Sequence, residues 1–224
     1  MYKLYGFPVS NYVNMVHLAL LEKGLPLEYV FTAGEQTDEY LAKSPRGKVP
    51  CLETPDGFLN EANVILEYLE DKGEGPPLLP VDAYQRALTR ALMKEMEIYI
   101  ELPARLGYPE VFFGSPVADA IKQKSRDELI AGFATLKRHG RFAPYVAGDQ
   151  FSLADIVFLY TVSLGLVVAD KLHGINPLAD CPQALTLLGR LRERPHVQTL
   201  TKASDAAIGD FIAKTRARFE SAKV

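Results

Sequence analysis

The pattern of hydrophobic and polar positions changes near residue 80. Before that point, short apolar runs typical of strands are interleaved with segments in which apolar residues recur at helical spacing. The predicted strands and helices fall, in chain order, at residues 2–5, 14–23, 27–31, 38–43, 49–53, 58–59 and 62–72. Because their order is βαβαββα, we expect a sheet with helices packed on it.

Glycine and proline are concentrated where the pattern changes. Residues 72–80 read KGEGPPLLP, with two glycines and three prolines, a density that neither a helix nor a strand tolerates. We interpret this stretch as part of an interdomain linker over roughly residues 72–82. The predicted domains are therefore an α/β domain at residues 1–77 and a second domain at residues 83–224.

Only helical patterns follow the linker. They predict an all-α domain with helices at residues 83–106, 116–141, 153–169, 183–192, 196–203 and 205–221. The most apolar stretch, residues 156–169, has 14 residues, fewer than the ~20 that a membrane-spanning helix needs. We therefore expect a buried core helix and no membrane association.

Composition narrows the function classes. The 224 residues include 25 basic and 28 acidic ones, without a basic run, which argues against nucleic acid as the main partner. Two cysteines exclude a disulfide scaffold and a thiolate zinc site, and the four histidines lack metal-binding spacing. We therefore expect no bound metal. The first residues do not resemble a secretory signal, so we expect a cytoplasmic protein.

The first candidate for chemistry is the segment FPVSNY at residues 7–12, between the first predicted strand and helix. A helix start offers free backbone N–H groups and the positive end of the helix dipole, which stabilise an anion or a thiolate. Ser10 and Asn11 are the polar residues at this helix start. The structural alternative is that one of them only caps the helix.

The second candidate is the segment RGKVPCL at residues 46–52. Val49 followed by Pro50 at the start of a strand is a candidate cis peptide bond. A cis bond would turn the Val49 backbone outward, where a peptide-like ligand could pair with it as an added strand. The alternative is an ordinary edge-strand proline, and Cys51 beside it is interpreted as a core residue.

Two further helix starts carry acidic residues. Glu61 precedes the helix at 62–72, where its carboxylate could hold an ammonium while the N–H groups behind it hold a carboxylate. That pair of charges fits the head group of an α-amino acid. The structural alternative is that Glu61 is only a solvated charge at the helix start. Ser152 and Asp155 form a capping-box pattern ahead of the apolar helix, which we interpret as structural.

These segments, in this order, resemble the soluble glutathione transferase family over essentially the whole chain. The most specific parts of the resemblance are the pair Val49–Pro50, the segment EANVI at 61–65 with Tyr68 and Leu69 after it, and the segment SLAD at 152–155. The resemblance implies a thioredoxin-like N-terminal domain followed by an all-α C-terminal domain. It also implies that glutathione is the co-substrate.

By this resemblance, Pro50 is expected in cis and the backbone of Val49 is expected to bind the cysteinyl part of glutathione. Lys48 is expected near the glycine end, and Glu61 is expected to hold the γ-glutamyl ammonium. Position 62 is usually Ser or Thr in the family, with its hydroxyl on the γ-glutamyl carboxylate, whereas this chain has Ala62. A hydrogen bond to a charged group is worth ~1.5–3 kcal/mol, so we expect weaker glutathione binding.

The resemblance also implies an activator for the glutathione thiol. Ser10 matches the activating serine of serine-type members, and the chain resembles the phi/theta-like bacterial ones among them. Asn11 is the second choice, and Tyr5, as in tyrosine-type members, is the third. The lysine or histidine that the family often has after the second strand is absent from residues 34–37.

The electrophile, by resemblance, is a small hydrophobic molecule bound between the domains, and the chain is a homodimer that acts in detoxification. The residues expected around the electrophile are Tyr12, Val13, Tyr99, Tyr108, Phe112 and Phe113. The dimer surface is expected on the helix after the linker, with Arg86, Arg90 and Met93. Two alternatives stay open: a non-catalytic binding protein of the same fold, and another glutathione-dependent reaction such as isomerisation, dehalogenation or peroxide reduction.

Overall fold

The structure is a computed structural model that describes residues 1–221. The chain divides into two compact units. The first contains Met1–Leu79 and Pro195–Asp205, and the second contains Pro80–Arg194 and the residues from Ala206 onward. The division between Leu79 and Pro80 falls within the stretch that the sequence analysis assigns to the linker.

The first unit is built on a four-stranded sheet. Its elements are β1 (Tyr2–Gly6), α1 (Asn11–Glu22), β2 (Leu27–Phe31), α2 (Asp38–Leu41), β3 (Cys51–Thr54), β4 (Gly57–Asn60) and α3 (Ala62–Asp71). The strand order is β2-β1-β3-β4. β1 is parallel to β2 and antiparallel to β3, and β3 is antiparallel to β4.

The two faces of this sheet have different roles. Leu4 of β1 and Leu52 of β3 are paired across the ladder and are fully buried. Side chains alternate along a strand, so the neighbouring pair of Tyr5 and Cys51 lies on the opposite face. The face with Leu4 and Leu52 belongs to the core of the unit, and the other face carries the polar groups of Lys3, Tyr5 and Glu53 beside the buried Cys51.

A buried ion pair ties the linker to the first unit. Lys23 Nζ lies 2.7 Å from Glu70 Oε1, and the two side chains are 1% and 6% exposed. Lys23 also donates to the Pro76 carbonyl at 3.0 Å, and the Leu78 N–H donates to the Glu70 carboxylate at 3.1 Å. Because each charge is buried, removal of either would leave the other uncompensated. The bonds from Lys23 to Pro76 and from Leu78 to Glu70 hold the glycine- and proline-rich segment against the first unit.

The second unit is helical. Its elements are α4 (Ala83–Met96), a π-helical turn (Glu97–Glu101), α5 (Leu102–Arg105), α6 (Tyr108–Phe113), α7 (Asp119–His139), α8 (Leu153–His173), α9 (Pro182–Arg192) and the later part of α10 (Pro195–Ser221). Pro116, predicted in a first helical turn, precedes α7 instead. The helices predicted at 196–203 and 205–221 are one continuous helix, because no glycine or proline separates them.

The predicted helix at 83–106 is interrupted by the π-helical turn, in which the Leu102 N–H bonds to the Glu97 carbonyl. Glycines on two other helices adjoin this turn. A Cβ at Gly132 of α7 would overlap the Tyr99 carbonyl oxygen, and a Cβ at Gly165 of α8 would overlap the Ile100 side chain. The turn therefore depends on close packing between elements far apart in sequence, which a local pattern does not reveal.

α8 is the core helix that the sequence predicts. It packs against the π-helical turn and against α4, α5, α6, α7 and α9. By length and composition this helix could cross a membrane, but 67% of its most apolar window is buried within the structure. At its start, the Ser152 N–H donates to Asp155 Oδ2 at 2.8 Å, as the capping pattern predicts.

The first residues of α10 differ from the predicted organisation. The prediction assigned residues 83–224 to the helical domain, whereas Pro195–Asp205 cluster with the first unit. His196 Nδ1 lies 3.4 Å from Glu22 Oε1 of α1, and Val197 and Leu200 are buried. These contacts join residues that are distant in sequence, so local sequence patterns do not reveal that the start of α10 belongs to the first unit.

Candidate glutathione site

The turn before α1 positions Ser10. Its Oγ accepts a hydrogen bond from the Val13 N–H at 3.3 Å, which makes Ser10 the N-cap of α1. A hydroxyl that accepts one hydrogen bond still has its own proton to donate. The cap therefore orients Ser10 at the positive end of the helix dipole and leaves a donor for an anion.

Asn11 and Asn14 lie in the first part of α1, next to the same turn. Asn11 is 8% exposed, so its side chain is less accessible than that of half-buried Ser10. Asn14 Nδ2 donates to the Pro8 carbonyl at 2.8 Å and so fixes the loop ahead of Ser10. The sequence analysis missed Asn14, and the only signal available was its position one helical turn after Ser10.

Tyr5, the third choice of activator, has its hydroxyl engaged elsewhere. It donates to Glu53 Oε2 at 2.6 Å, and Glu53 also pairs with Lys3 at 3.1 Å. The hydrogen bond to Glu53, together with burial, raises the pKa of Tyr5 well above its ordinary value. This geometry favours Ser10 over Tyr5.

The segment around the predicted cis proline has the expected backbone. The Val49–Pro50 peptide bond is cis, which confirms that prediction, and a second cis bond, Ala143–Pro144, was not predicted. Cys51 is fully buried, in agreement with its assignment to the core. Burial raises the pKa of its thiol to about 11, so Cys51 stays protonated at neutral pH.

The start of α3 has an unusual backbone. Glu61, its N-cap residue, has φ 67° and ψ 115°, and its side chain makes no capping hydrogen bond. A positive φ at a non-glycine residue is strained, and such strain is concentrated at functional sites. Glu61 is exposed and Ala62 opens the helix. The first N–H groups of α3 and the Glu61 carboxylate therefore place a positive and a negative group side by side, the arrangement that the sequence analysis expects for an α-amino-acid head group.

Three of the predicted electrophile residues form a ring cluster in the second unit. Phe112 lies 5.1 Å from Tyr108 and 6.3 Å from Phe113, measured between ring centroids. Phe113 also lies 5.9 Å from Phe211 and 5.8 Å from Phe219 of α10. The sequence analysis missed the two α10 rings because their partner lies about a hundred residues away in the chain.

The other predicted electrophile residues are placed differently. Val13 is fully buried and lies against Gly6 of β1, so its assignment to the electrophile pocket is corrected: it is a core residue. Tyr12 is half-buried in the first turn of α1. Tyr99 is 48% exposed in the π-helical turn.

A separate cavity of about 290 Å³ lies in the second unit, and none of the predicted site residues lines it. Its lining includes Leu88 and Leu92 of α4, together with Arg138, Glu95 and His139, and the last two are 2.8 Å apart between Oε2 and Nδ1. Among residues 1–221, the structure contains no cluster of side chains suited to a metal ion.

Comparisons with known proteins identify the family. Residues 4–77 match the family model described as "Glutathione S-transferase, N-terminal domain". The chain is also 53% identical over 216 residues to a glutathione S-transferase of Pseudomonas putida strain F1, covering 96% of this chain and 98% of that protein. The chain belongs to the glutathione S-transferase family. The predicted activity is thereby supported: the chain is an enzyme, a glutathione S-transferase, and glutathione is its substrate.

Solved glutathione S-transferase structures are similar over nearly the whole chain. The apo form of a glutathione S-transferase III matches with a TM-score of 0.70 at 29% identity, covering 90% of this chain and 96% of that one. A maleyl pyruvate isomerase, described as a bacterial zeta-class glutathione S-transferase, matches with a TM-score of 0.70 at 28% identity, covering 90% and 97%. The thioredoxin-like N-terminal domain and helical C-terminal domain are thereby confirmed.

Proposed function

We propose that the chain is a serine-type glutathione transferase in which Ser10 stabilises the glutathione thiolate for attack on an electrophile. The observation that carries this proposal is the orientation of Ser10, whose oxygen caps α1 while its proton stays available. In the reaction, the thiol proton leaves to solvent and a sulfur lone pair forms the new carbon–sulfur bond. The displaced electron pair leaves with a leaving group or moves into a conjugated acceptor.

The start of α3 supports the binding of the γ-glutamyl end of glutathione. The exposed Glu61 carboxylate is suited to the ligand ammonium, and the N–H groups that begin at Ala62 are suited to its carboxylate. Val49 would pair with the cysteinyl backbone as an added strand, and exposed Lys48 would lie near the glycine end. Pro50 follows Val49 and directly precedes β3.

The energies involved are sufficient for thiol activation. A thiol with a pKa of ~8.5 is about 3% ionised at pH 7, and a decrease of ~2 units makes it about 75% ionised. That decrease needs ~2.7 kcal/mol. A hydrogen bond to a charged group contributes ~1.5–3 kcal/mol, and the helix dipole adds ~0.3–1 kcal/mol. Ser10 and the start of α1 therefore provide enough stabilisation without a general base.

We infer that the electrophile has an apolar or aromatic body. The ring cluster of Tyr108, Phe112 and Phe113 supports this, because aromatic side chains favour stacking with flat apolar ligands. A second candidate reaction is glutathione-dependent isomerisation, which the similarity to the maleyl pyruvate isomerase favours. A panel of aromatic halides and unsaturated dicarboxylates distinguishes the two reactions, since only the first releases a glutathione conjugate.

We also propose a cytoplasmic homodimer. Tyr84 and Leu88 of α4 are 69% and 44% exposed, and apolar side chains of this size favour an interface. Met93, which the sequence analysis assigned to the dimer surface, is only 3% exposed and is therefore a core residue. A sedimentation mass near 24.8 kDa at micromolar concentration would contradict the dimer.

Three substitutions at Ser10 separate capping from activation. Ser10→Ala removes both functions, Ser10→Asp retains a capping acceptor without a useful donor, and Ser10→Thr retains both. The thiolate absorbance of bound glutathione, titrated against pH, gives the thiol pKa for each variant. We expect the pKa to rise by ~1–2 units in the first two variants and to stay near the wild-type value in Ser10→Thr. An unchanged thiol pKa in Ser10→Ala would transfer the role to Asn11.

A further inference from the structure

Two buried hydroxyl groups hold the loop between α2 and β3 from inside. Ser44 Oγ accepts a hydrogen bond from the Lys48 N–H at 3.1 Å and donates to the Lys48 carbonyl at 2.9 Å. The Tyr40 hydroxyl donates to the same carbonyl at 3.2 Å. Ser44 is 2% exposed and Tyr40 is 5% exposed, so both hydroxyl-bearing residues are buried. We call Ser44 and Tyr40 the hydroxyl clamp.

The hydroxyl clamp uses both backbone groups of Lys48. A residue whose N–H and carbonyl are already hydrogen-bonded is not available for backbone pairing with an incoming strand. The pairing of β3 with β1 begins only at Cys51, so Val49 lies between the clamp and the ladder. The clamp thus restricts strand-like pairing with a peptide ligand to Val49.

Other contacts hold the rest of the loop independently. Asn60 Nδ2 donates to the Lys43 carbonyl at 3.0 Å, and Gln36 Nε2 donates to the Arg46 carbonyl at 3.3 Å. Both bonds would remain if the clamp were removed. The clamp therefore determines the local conformation of Lys48 and Val49, while these two bonds maintain the course of the loop.

We propose that Ser44, assisted by Tyr40, is a positioning residue for glutathione: it fixes Lys48 so that the Val49 backbone faces the cysteinyl part of the ligand. This inference rests on the proposed function, since it assumes that Val49 pairs with glutathione. Ser44 itself does not contact the ligand. Burial raises the pKa of Tyr40 to about 12, so its hydroxyl remains a donor throughout the working pH range.

Thr54 offers a matched control within the same unit. Its Oγ1 accepts from the Asp56 N–H at 3.1 Å and donates to the Gly57 carbonyl at 3.0 Å, and Thr54 is 8% exposed. Thr54 therefore closes the turn between β3 and β4 with the same two kinds of hydrogen bond. Thr54→Val removes those bonds at a place that carries none of the predicted site residues.

The test compares Ser44→Ala, Tyr40→Phe and Thr54→Val by calorimetric glutathione binding, steady-state kinetics and thermal unfolding. We expect Ser44→Ala to raise Kd and KM for glutathione by about five- to thirtyfold, the effect of one or two lost hydrogen bonds. The value of kcat at saturating glutathione should stay unchanged, because Ser10 is untouched. Tyr40→Phe should raise Kd by a smaller factor. Thr54→Val should lower the melting temperature and leave Kd unchanged.

Two results would overturn the positioning role. One is a folded Ser44→Ala variant whose Kd equals that of the wild type, and the other is an equal rise of Kd in Thr54→Val. If Ser44→Ala does not fold, Tyr40→Phe decides, because its ring still fills the core. Wild-type protein that does not bind glutathione would contradict the proposed function itself, so the two failures are distinguishable.

Discussion

Glu61 precedes α3 and Ser152 precedes α8, but the two helix starts differ in how their polar side chains are bonded. At α8, the Asp155 carboxylate is completely buried and accepts hydrogen bonds from the Val146 N–H, the Ser152 N–H and the Ser152 hydroxyl. At α3, Glu61 is exposed, strained at φ 67° and without a capping bond. A helix start whose side chains bond to one another stabilises the fold, whereas one left open is available to a ligand.

α1 combines both uses. Ser10 accepts from the Val13 N–H, as a cap does, and retains a proton for a ligand. The three helix starts therefore differ in how many of their hydrogen-bonding groups are already used within the protein. This comparison predicts which substitutions affect stability and which affect glutathione.

The largest expected effect is the loss of the closed start at α8. Asp155→Ala leaves the Val146 and Ser152 N–H groups buried without an acceptor, and each such group costs ~1–3 kcal/mol. We expect the free energy of unfolding to fall by about 2–5 kcal/mol, measured by denaturant titration. Glutathione affinity of the folded protein should not change. A loss of affinity without a loss of stability would contradict the structural role of Asp155.

The second prediction concerns pH. Burial, the dominant cause, raises the pKa of Asp155 from 3.8 to about 6, although hydrogen bonds from Val146 and Ser152 oppose it. The folded protein therefore binds this proton more tightly than the unfolded chain, so the contribution of Asp155 to stability falls as pH rises from about 4 to about 6. Relative to Asp155→Asn, which does not titrate, the wild type should lose up to about 3 kcal/mol across that window. If the difference in unfolding free energy between the wild type and Asp155→Asn did not change with pH, Asp155 would be ionised throughout this range.

The third prediction concerns the open start at α3. Ala62→Ser adds a hydroxyl at the first residue of the helix, where it can donate to the γ-glutamyl carboxylate of glutathione. We expect binding to tighten by ~1.5–3 kcal/mol, measured by calorimetry. The unfolding free energy should change little. Weaker binding in the variant would mean that the head group of the ligand lies elsewhere.

The smallest expected effect is the relief of strain at Glu61. Glycine adopts a positive φ without steric cost, so Glu61→Gly should raise the unfolding free energy by about 1 kcal/mol. The same change should weaken glutathione binding, because it removes the carboxylate for the ligand ammonium. Glu67→Gly in the middle of α3 is the control, and it should destabilise the protein by roughly 0.5–1 kcal/mol.

Features whose determinants are adjacent in sequence followed from local patterns in both units. The cis bond at Val49–Pro50 and the contact between Ser152 and Asp155 each involve residues no more than three positions apart. The π-helical turn did not follow, since it depends on Gly132 and Gly165 of other helices. Local patterns reveal hydrogen bonds between near neighbours but not the close approach of distant elements.

The candidate site was predicted less completely than the fold. Ser10 and Glu61 lie at helix starts, which sequence patterns reveal. The residues that hold the loops before α1 and β3, Asn14 and Ser44, have no distinctive motif, because a hydrogen bond to a backbone group requires only a polar side chain in the right place. The sequence analysis expects Val13 beside Tyr12 in the pocket, whereas the structure buries Val13 against Gly6 of β1.

The central claim is that the chain binds glutathione as a thiolate, and proton release on binding tests it most directly. Calorimetry at pH 7 in buffers of different ionisation enthalpy measures the number of protons released per glutathione bound. A thiol that changes from about 3% to about 75% ionised releases ~0.7 proton, which is the result we predict for the wild type. Tight binding without proton release would contradict the claim, because glutathione would then be held as the neutral thiol.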